Sequence, residues 1–369
     1  TLFYEEIGSY LSEENPVIKD YTFVIYLIAV ATSYFEIFYA WAKVQFQSVF
    51  GNILKELWNR VVVMVLLFAV YFEWITKAEF IYFLTGAYFL RTLVMMVYAL
   101  KLYTPKFGFS RPKNFNEVLR FSGYIILAGS AGAIILDIDK FMIPGKESLV
   151  KAAYYSVAVF IGSFIEAPSR AMLNILQPLT SKTLNEENHQ EVASLYKKSS
   201  LNLLLISGLF FVLINTNINQ LFSLLPQAYS GGVLVVLMIS LLKLYNGFLG
   251  NNGAIINNSK FYRITLPISL TMAFLVYFLN KLFYYELDMG TNGLALATLL
   301  VIFSANTFKL FFVKRKFSIT PFTNKSLLLL LIITVLYLSF NFWEFPVANV
   351  YLWDFPMHPI INMILKSVL

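Results

Sequence analysis

Asp137, Asp139 and Lys140 sit together in the stretch AIILDIDKFMIPG, residues 133–145, where everything around them is apolar or small. Glu36, Arg91, Glu166 and Lys243 stand in the same way inside other hydrophobic runs. A carboxylate so placed can hold a proton or a cation, and an ammonium or guanidinium can hold an anion such as phosphate. Each charge costs about 2.5–3.5 kcal/mol at the centre of an isolated helix in lipid, so these side chains are expected to converge on a wet interior rather than on acyl chains. Asp137 and Lys140 are three apart and share a helix face, which leaves Asp139 pointing elsewhere, able to reach another helix. The competing reading ends the membrane span near residue 136 and leaves the trio hydrated at the outer interface. Glu166 precedes Pro168, whose ring and missing N–H disturb a helix. It is either a functional carboxylate or a structural partner for Lys243. Lys243 and Asn246 lie on one face, where Asn246 either lines a polar path or bonds a neighbouring helix. Arg91 is near the centre of its run, and Glu36 is the candidate to neutralise it.

The elements that must position these groups are legible from composition. The chain is 58% hydrophobic and 13% charged, against roughly 45–50% and about 25% for a soluble domain. Apolar runs of spanning length lie at about 21–44, 57–76, 79–102, 119–144, 150–176, 198–223, 230–251, 262–283, 290–314 and 325–342, with a shorter one from 357. They lack the alternation of barrel strands, so helices are expected, ten complete spans and a stub. The connections alternate in charge. One set carries nineteen Lys and Arg, among them Lys43, Lys101, Arg120, Lys182, Arg263 and Lys316, and the other only Lys19, Lys77, Lys146, Lys151 and Lys281. The positive-inside rule puts the first set in the cytoplasm, in contact with anionic lipid. The opening segment and "FWEFPVANVYLWDFPMHP", with Trp343 and Trp353, then face outward. The stretch "NILQPLTSKTLNEENHQEVASLYKKSS" is expected to hold a surface helix ahead of span six.

Several chemistries are excluded. Cysteine is absent and there are two histidines, His189 and His358, so neither a disulfide framework nor a sulfur or histidine metal site is expected. Net charge is +7, but the basic residues are scattered in short clusters and make no nucleic-acid face. "YSGGVL" and "GNNGAIINN" lack the phosphate-loop spacing of an ATPase. Outward carboxylates for a membrane glycosyltransferase would have to come from Glu286, Asp288, Glu344 or Asp354, on short loops.

From residue 117 onward the sequence resembles bacterial polysaccharide flippases, the O-antigen unit flippase group of the multidrug/oligosaccharidyl-lipid/polysaccharide (MOP) superfamily. The residues that carry the resemblance are "RFSGYIILAGSAGAIILDIDKFMIP" with its acidic–basic pair Asp139 and Lys140, the run Ala153, Tyr155, Ser156, Val157 and Ala158, then Pro178, then Leu195, Tyr196, Lys198 and Ser199. The resemblance implies an all-α, polytopic, two-lobed helical bundle working by alternating access. Residues 1–116 would be the last three helices of an N-terminal lobe, 117–320 a six-helix C-terminal lobe and 321–369 additional C-terminal helices. The family's first three helices and the C-terminal end would then lie outside this sequence. Lys140 stands where the pair has Arg in some family members, which keeps the charge but weakens the case for bidentate phosphate binding. The implied substrate is an undecaprenyl-diphosphate-linked oligosaccharide moved across the bacterial inner membrane during polysaccharide synthesis. No cofactor is implied beyond an H⁺ or Na⁺ gradient, and polysaccharide polymerase or ligase proteins are further candidate partners. In that setting Arg91, Lys243, Lys140 and Asn246 are candidate substrate contacts. Glu36, Asp137, Asp139 and Glu166 are candidate counter-ions or coupling groups, and a minority of the many Tyr and Phe would line a sugar path. An ion-coupled drug exporter and a membrane glycosyltransferase or ligase are the rival readings.

Overall fold

The computed structural model describes residues 9, 16–45, 47, 49–105, 114–343, 345, 351–352 and 355–368. Lys106, Arg111 and Lys113 of the expected inner loops, and Glu344, Trp353 and Asp354 of the outer segment, lie outside the described residues, as does most of the opening acidic segment.

The chain forms two compact units, Thr1–Phe115 and Asn116–Leu369. In the first, α1 (Val17–Val44) packs lengthwise on α3 (Lys77–Leu102), and between them in sequence the helical stretch Val49–Ile53, a π-helical segment Leu54–Trp58 and α2 (Asn59–Tyr71) follow one another. The α3 start is fixed by a reciprocal cap: Glu79 N–H donates to the Thr76 hydroxyl at 3.2 Å, and Thr76 N–H to the Glu79 carboxylate at 2.8 Å. Phe35, Tyr39, Ala42, Leu54, Met95 and Ala99 make the core of this unit.

In the second unit, α4 (Phe115–Met142) is followed by α5 (Leu149–Ser163), a 3₁₀ turn Phe164–Glu166, α6 (Ala167–Asn185), α7 (His189–Thr216), α8 (Val233–Leu249), α9 (Thr265–Asn280) with a π-helical extension Lys281–Glu286, α10 (Gly290–Phe317), α11 (Asn324–Asn341) and α12 (His358–Val368). A two-residue strand pair, Tyr351–Leu352 with Phe355–Pro356, precedes α12. At the centre, α8 packs on α5, α7 and α10. Its residues Val235, Val236, Ile239 and Leu242 are buried in the protein rather than offered to lipid.

Among the described residues, eight helices are long and apolar enough to cross a membrane, two fewer than the runs suggested. The 57–76 run becomes the shorter α2, preceded by the π-helical segment that carries Lys55 and Glu56 and ended by Glu73 in the left-handed region. The 230–251 run becomes the 17-residue α8, about 26 Å at 1.5 Å per residue. It stops at Gly250, whose φ is +54°; a Cβ there would stand 2.6 Å from the Ser200 nitrogen, so the close approach of α7 requires glycine. The expected surface helix does not form separately. Residues to Asn185 end α6, and Asn188, accepting from the Glu191 N–H at 3.1 Å, starts α7, which runs on unbroken into the apolar stretch. The chain is a multi-pass membrane protein.

Candidate functional site

Asp139 lies in the last turn of α4, 5% exposed. Its carboxylate accepts hydrogen bonds from the Tyr155 hydroxyl of α5 at 2.5 Å, the Asn280 amide of α9 at 2.7 Å and the Thr298 hydroxyl of α10 at 3.0 Å. Four helices of the second unit are thereby tied to one acidic group. Among the described residues no ammonium or guanidinium pairs with it. Lys140 instead bonds Asp137 at 2.8 Å across one helical turn, with both side chains largely exposed. The helix continues to Met142, so the shared face of Asp137 and Lys140 and the separate direction of Asp139 follow from helical spacing. The helix runs past residue 136, but its membrane-spanning portion ends at Ile135, so the alternative of an exposed Asp137 and Lys140 beyond the span holds for those two, whereas Asp139 is buried.

Beside Asp139 is a cavity of about 50 Å³ lined also by Lys140, Tyr155, Ser163, Lys243 and Thr298. A water occupies about 30 Å³ in the liquid, so the space is water-sized. From there polar groups continue between α8 and α10. Lys243 donates to Glu166 at 2.6 Å, and Arg170 approaches the same carboxylate at 3.7 Å. Glu166 closes the 3₁₀ turn that Pro168 imposes between α5 and α6, the break expected from the sequence. One turn along α8, Asn246 accepts from the Asn306 amide at 2.7 Å, and Asn306 accepts from Lys309 at 3.4 Å. Tyr245 and Thr307 share a hydrogen bond of 2.8 Å beside them. Lys309, one of the nineteen basic residues assigned to the cytoplasmic connections, is well inside α10, and among the described residues no carboxylate pairs with it.

In the first unit the expected pairing of Glu36 with Arg91 is corrected. Glu36 bonds Lys55 at 2.7 Å, half-exposed, because the π-helical segment turns Lys55 onto α1. Arg91 is buried to 3% exposure, donates to the Asn59 side chain at 3.1 Å and lies 4.2 Å from the Phe35 ring centre and 4.9 Å from that of Tyr88. The rings take up the cation through their π faces. No carboxylate pairs with Arg91 among the described residues.

Tyr155, Asn280, Thr298, Asn306 and Lys309 were not singled out as site residues from the sequence. A signal existed for two: Asn280 is a lone amide in "VYFLNKLF" and Lys309 a lone cation in "NTFKLFF". Tyr196 and Ser199 of the resemblance serve packing: Tyr196 is fully buried with Val192, Ile255 and Val313, and the Ser199 hydroxyl donates to the Tyr196 carbonyl at 3.0 Å. Of the carboxylates expected to face outward, Glu286 is exposed and Asp288 is held by Lys146 at 2.7 Å. That hydrogen bond, and then the positive charge of Lys146, keep the Asp288 carboxyl below the usual range.

No protein-family model matches the sequence, and comparison with curated proteins returns no match. Among solved structures the chain is similar to the lipid II flippase MurJ in an inward closed conformation, with a TM-score of 0.61 and 15% identity over 95% of this chain and 71% of that one. At this identity the likeness is one of fold. The chain thus shares an all-helical, polytopic fold with that structure.

Proposed function

We propose that the protein flips an undecaprenyl-diphosphate-linked oligosaccharide across the bacterial inner membrane by alternating access, during synthesis of a surface polysaccharide. The observation that carries this reading is the row of polar groups from the buried Asp139 through the partly buried Lys243 and Asn246 to Lys309, set inside helices that are otherwise apolar. Such a row costs free energy in a membrane unless it serves a hydrated or charged cargo. Arg91 and Lys309, which pair with no carboxylate among the described residues, favour an anionic cargo over a cationic drug. Lys243 takes part by exchanging Glu166 for a diphosphate oxygen, with Asn246 as a polar liner and Lys140 near the mouth. Asp139, surrounded by neutral donors, is the group to couple transport to H⁺ or Na⁺; Glu36, Asp137 and Glu166 act as counter-ions. A transport role for the MurJ structure, named for flipping lipid II, supports the lipid-linked class of substrate.

The cellular test is depletion of the protein. Lipid-linked units should accumulate on the inner leaflet, and Arg91→Ala or Lys243→Ala should not clear them. Normal appearance of the units outside, with loss of a sugar addition, would instead favour a glycosyltransferase or ligase.

A further inference from the structure

A second, larger cavity opens in the second unit, at the end that the charge pattern assigns to the outside. It measures about 490 Å³, within the range of about 300–1,000 Å³ typical of small-ligand sites. Its walls come from the start of α5, the segment before α8 and the first turn of α10. Tyr154 and Tyr229 line one side, their ring centres 4.2 Å apart and their planes at 57°, so that both partly exposed faces bound a corner. Asn292 also lines the cavity, and its side-chain oxygen is buried and accepts no hydrogen bond among the described residues. Added Cβ atoms at Gly231 and Gly290 would meet nothing within 4 Å, which shows open space beside the backbone.

The charges in the lining cancel. Lys151 is bonded to Glu147 at 2.6 Å, and the neighbouring Lys146 is committed to Asp288. An anion such as phosphate would have to displace a carboxylate here, whereas a neutral ligand would not. Flat aromatic faces suit the C–H side of a pyranose, and a buried amide oxygen suits a sugar hydroxyl or acetamido N–H. We infer that this cavity is a saccharide-docking site for a neutral or N-acetylated hexose unit, with Tyr154 and Tyr229 as the stacking surface and Asn292 as an acceptor. Its floor is Tyr155, the residue whose hydroxyl bonds Asp139. A docked sugar is therefore one side chain away from the buried carboxylate. Binding of a free sugar does not depend on the proposed flipping activity; only its role in receiving a translocated glycan rests on that reading.

The test is saturation-transfer NMR on the purified full chain in nanodiscs, with glucose, N-acetylglucosamine and a disaccharide of each as probes, and pyrophosphate as the anionic comparison. Ring-proton transfer from at least one sugar is expected at millimolar concentration, and no competition from pyrophosphate. Tyr229→Ala and Asn292→Leu should each weaken the signal about tenfold or more, with thermal melting recorded to show that the variants fold. Tyr262→Ala, at another cavity of the unit, should leave it unchanged. If Tyr229→Ala melts early, Tyr229→Leu replaces it. Competition by a lipid-linked saccharide at lower concentration than its free sugar would identify the lipid-linked form as the natural occupant; equal concentrations would identify the free sugar. Absence of sugar binding, binding untouched by both variants, or competition by pyrophosphate would overturn the inference. Sugar binding together with failed translocation would leave the docking site standing and remove the flippase reading.

Discussion

The Tyr155 hydroxyl stands 2.5 Å from the Asp139 carboxylate, in a pocket where Asn280 and Thr298 supply the other donors. Every hydrogen-bond partner of this buried acid is neutral, and the cations Lys140 and Lys243 line the small cavity beside it without bonding to it. Tyr155→Phe removes one donor while keeping the ring, and should cost about 1–3 kcal/mol. Asp139→Asn should abolish any response of transport to the coupling ion while the protein still inserts and folds. Melting in detergent and transport at varied Na⁺ and pH check both. An Asp139→Asn protein with an undiminished ion response would remove Asp139 from coupling.

Lys243 and Glu166 form a pair that is mostly buried, with side chains 14% and 24% exposed. Breaking a fully buried pair costs about 3–5 kcal/mol; partial exposure and the nearby Arg170 reduce this, and Glu166→Gln should cost on the order of 2 kcal/mol. The exchange Glu166→Lys with Lys243→Glu should recover most of that stability. If the double variant melts no higher than either single one, the pair is not a local interaction. Lys243→Ala should impair transport even where melting is only modestly lowered.

Arg91 is held by two aromatic rings and one amide. Arg91→Lys preserves charge but cannot stack in the same way, so it should retain part of the activity, whereas Arg91→Ala should lose nearly all of it. Equal activity of the two variants would show that charge at this position is irrelevant to the cargo.

Asp288 gives a dependence on pH. Lys146 lowers its folded pKa, so the link between the segments that follow α4 and α9 is present at neutral pH and is lost as pH falls through that lowered value. The melting difference between wild type and Asp288→Asn should stay constant above the ordinary carboxylate range and close below it. A difference that widens in acid would contradict the sign.

The apolar runs were legible because burying backbone in lipid demands long helices; each expected run does hold helix, though those at 57–76 and 230–251 hold shorter ones. Pro168 announced the break beside Glu166, and the spacing of Asp137 and Lys140 announced their shared face. Less visible was anything that depended on which helix lies beside which. Asn280 and Thr298 become partners of Asp139 across more than a hundred residues of chain, and neutral polar side chains carry no strong warning in an apolar run. Glu36 was assigned to Arg91 by sign alone, but the π-helical turn at Leu54–Trp58 delivers Lys55 to it first. Lys309 was hidden by the basic cluster that follows it on the same helix.

The most direct measurement is translocation in sealed proteoliposomes of a fluorescent undecaprenyl-diphosphate saccharide, followed by quenching from outside. Wild type should move the label faster than empty vesicles, and Arg91→Ala, Lys243→Ala and Lys309→Ala should each reduce that rate severely. A wild-type rate equal to that of empty vesicles, or full rates in all three variants, would contradict the account.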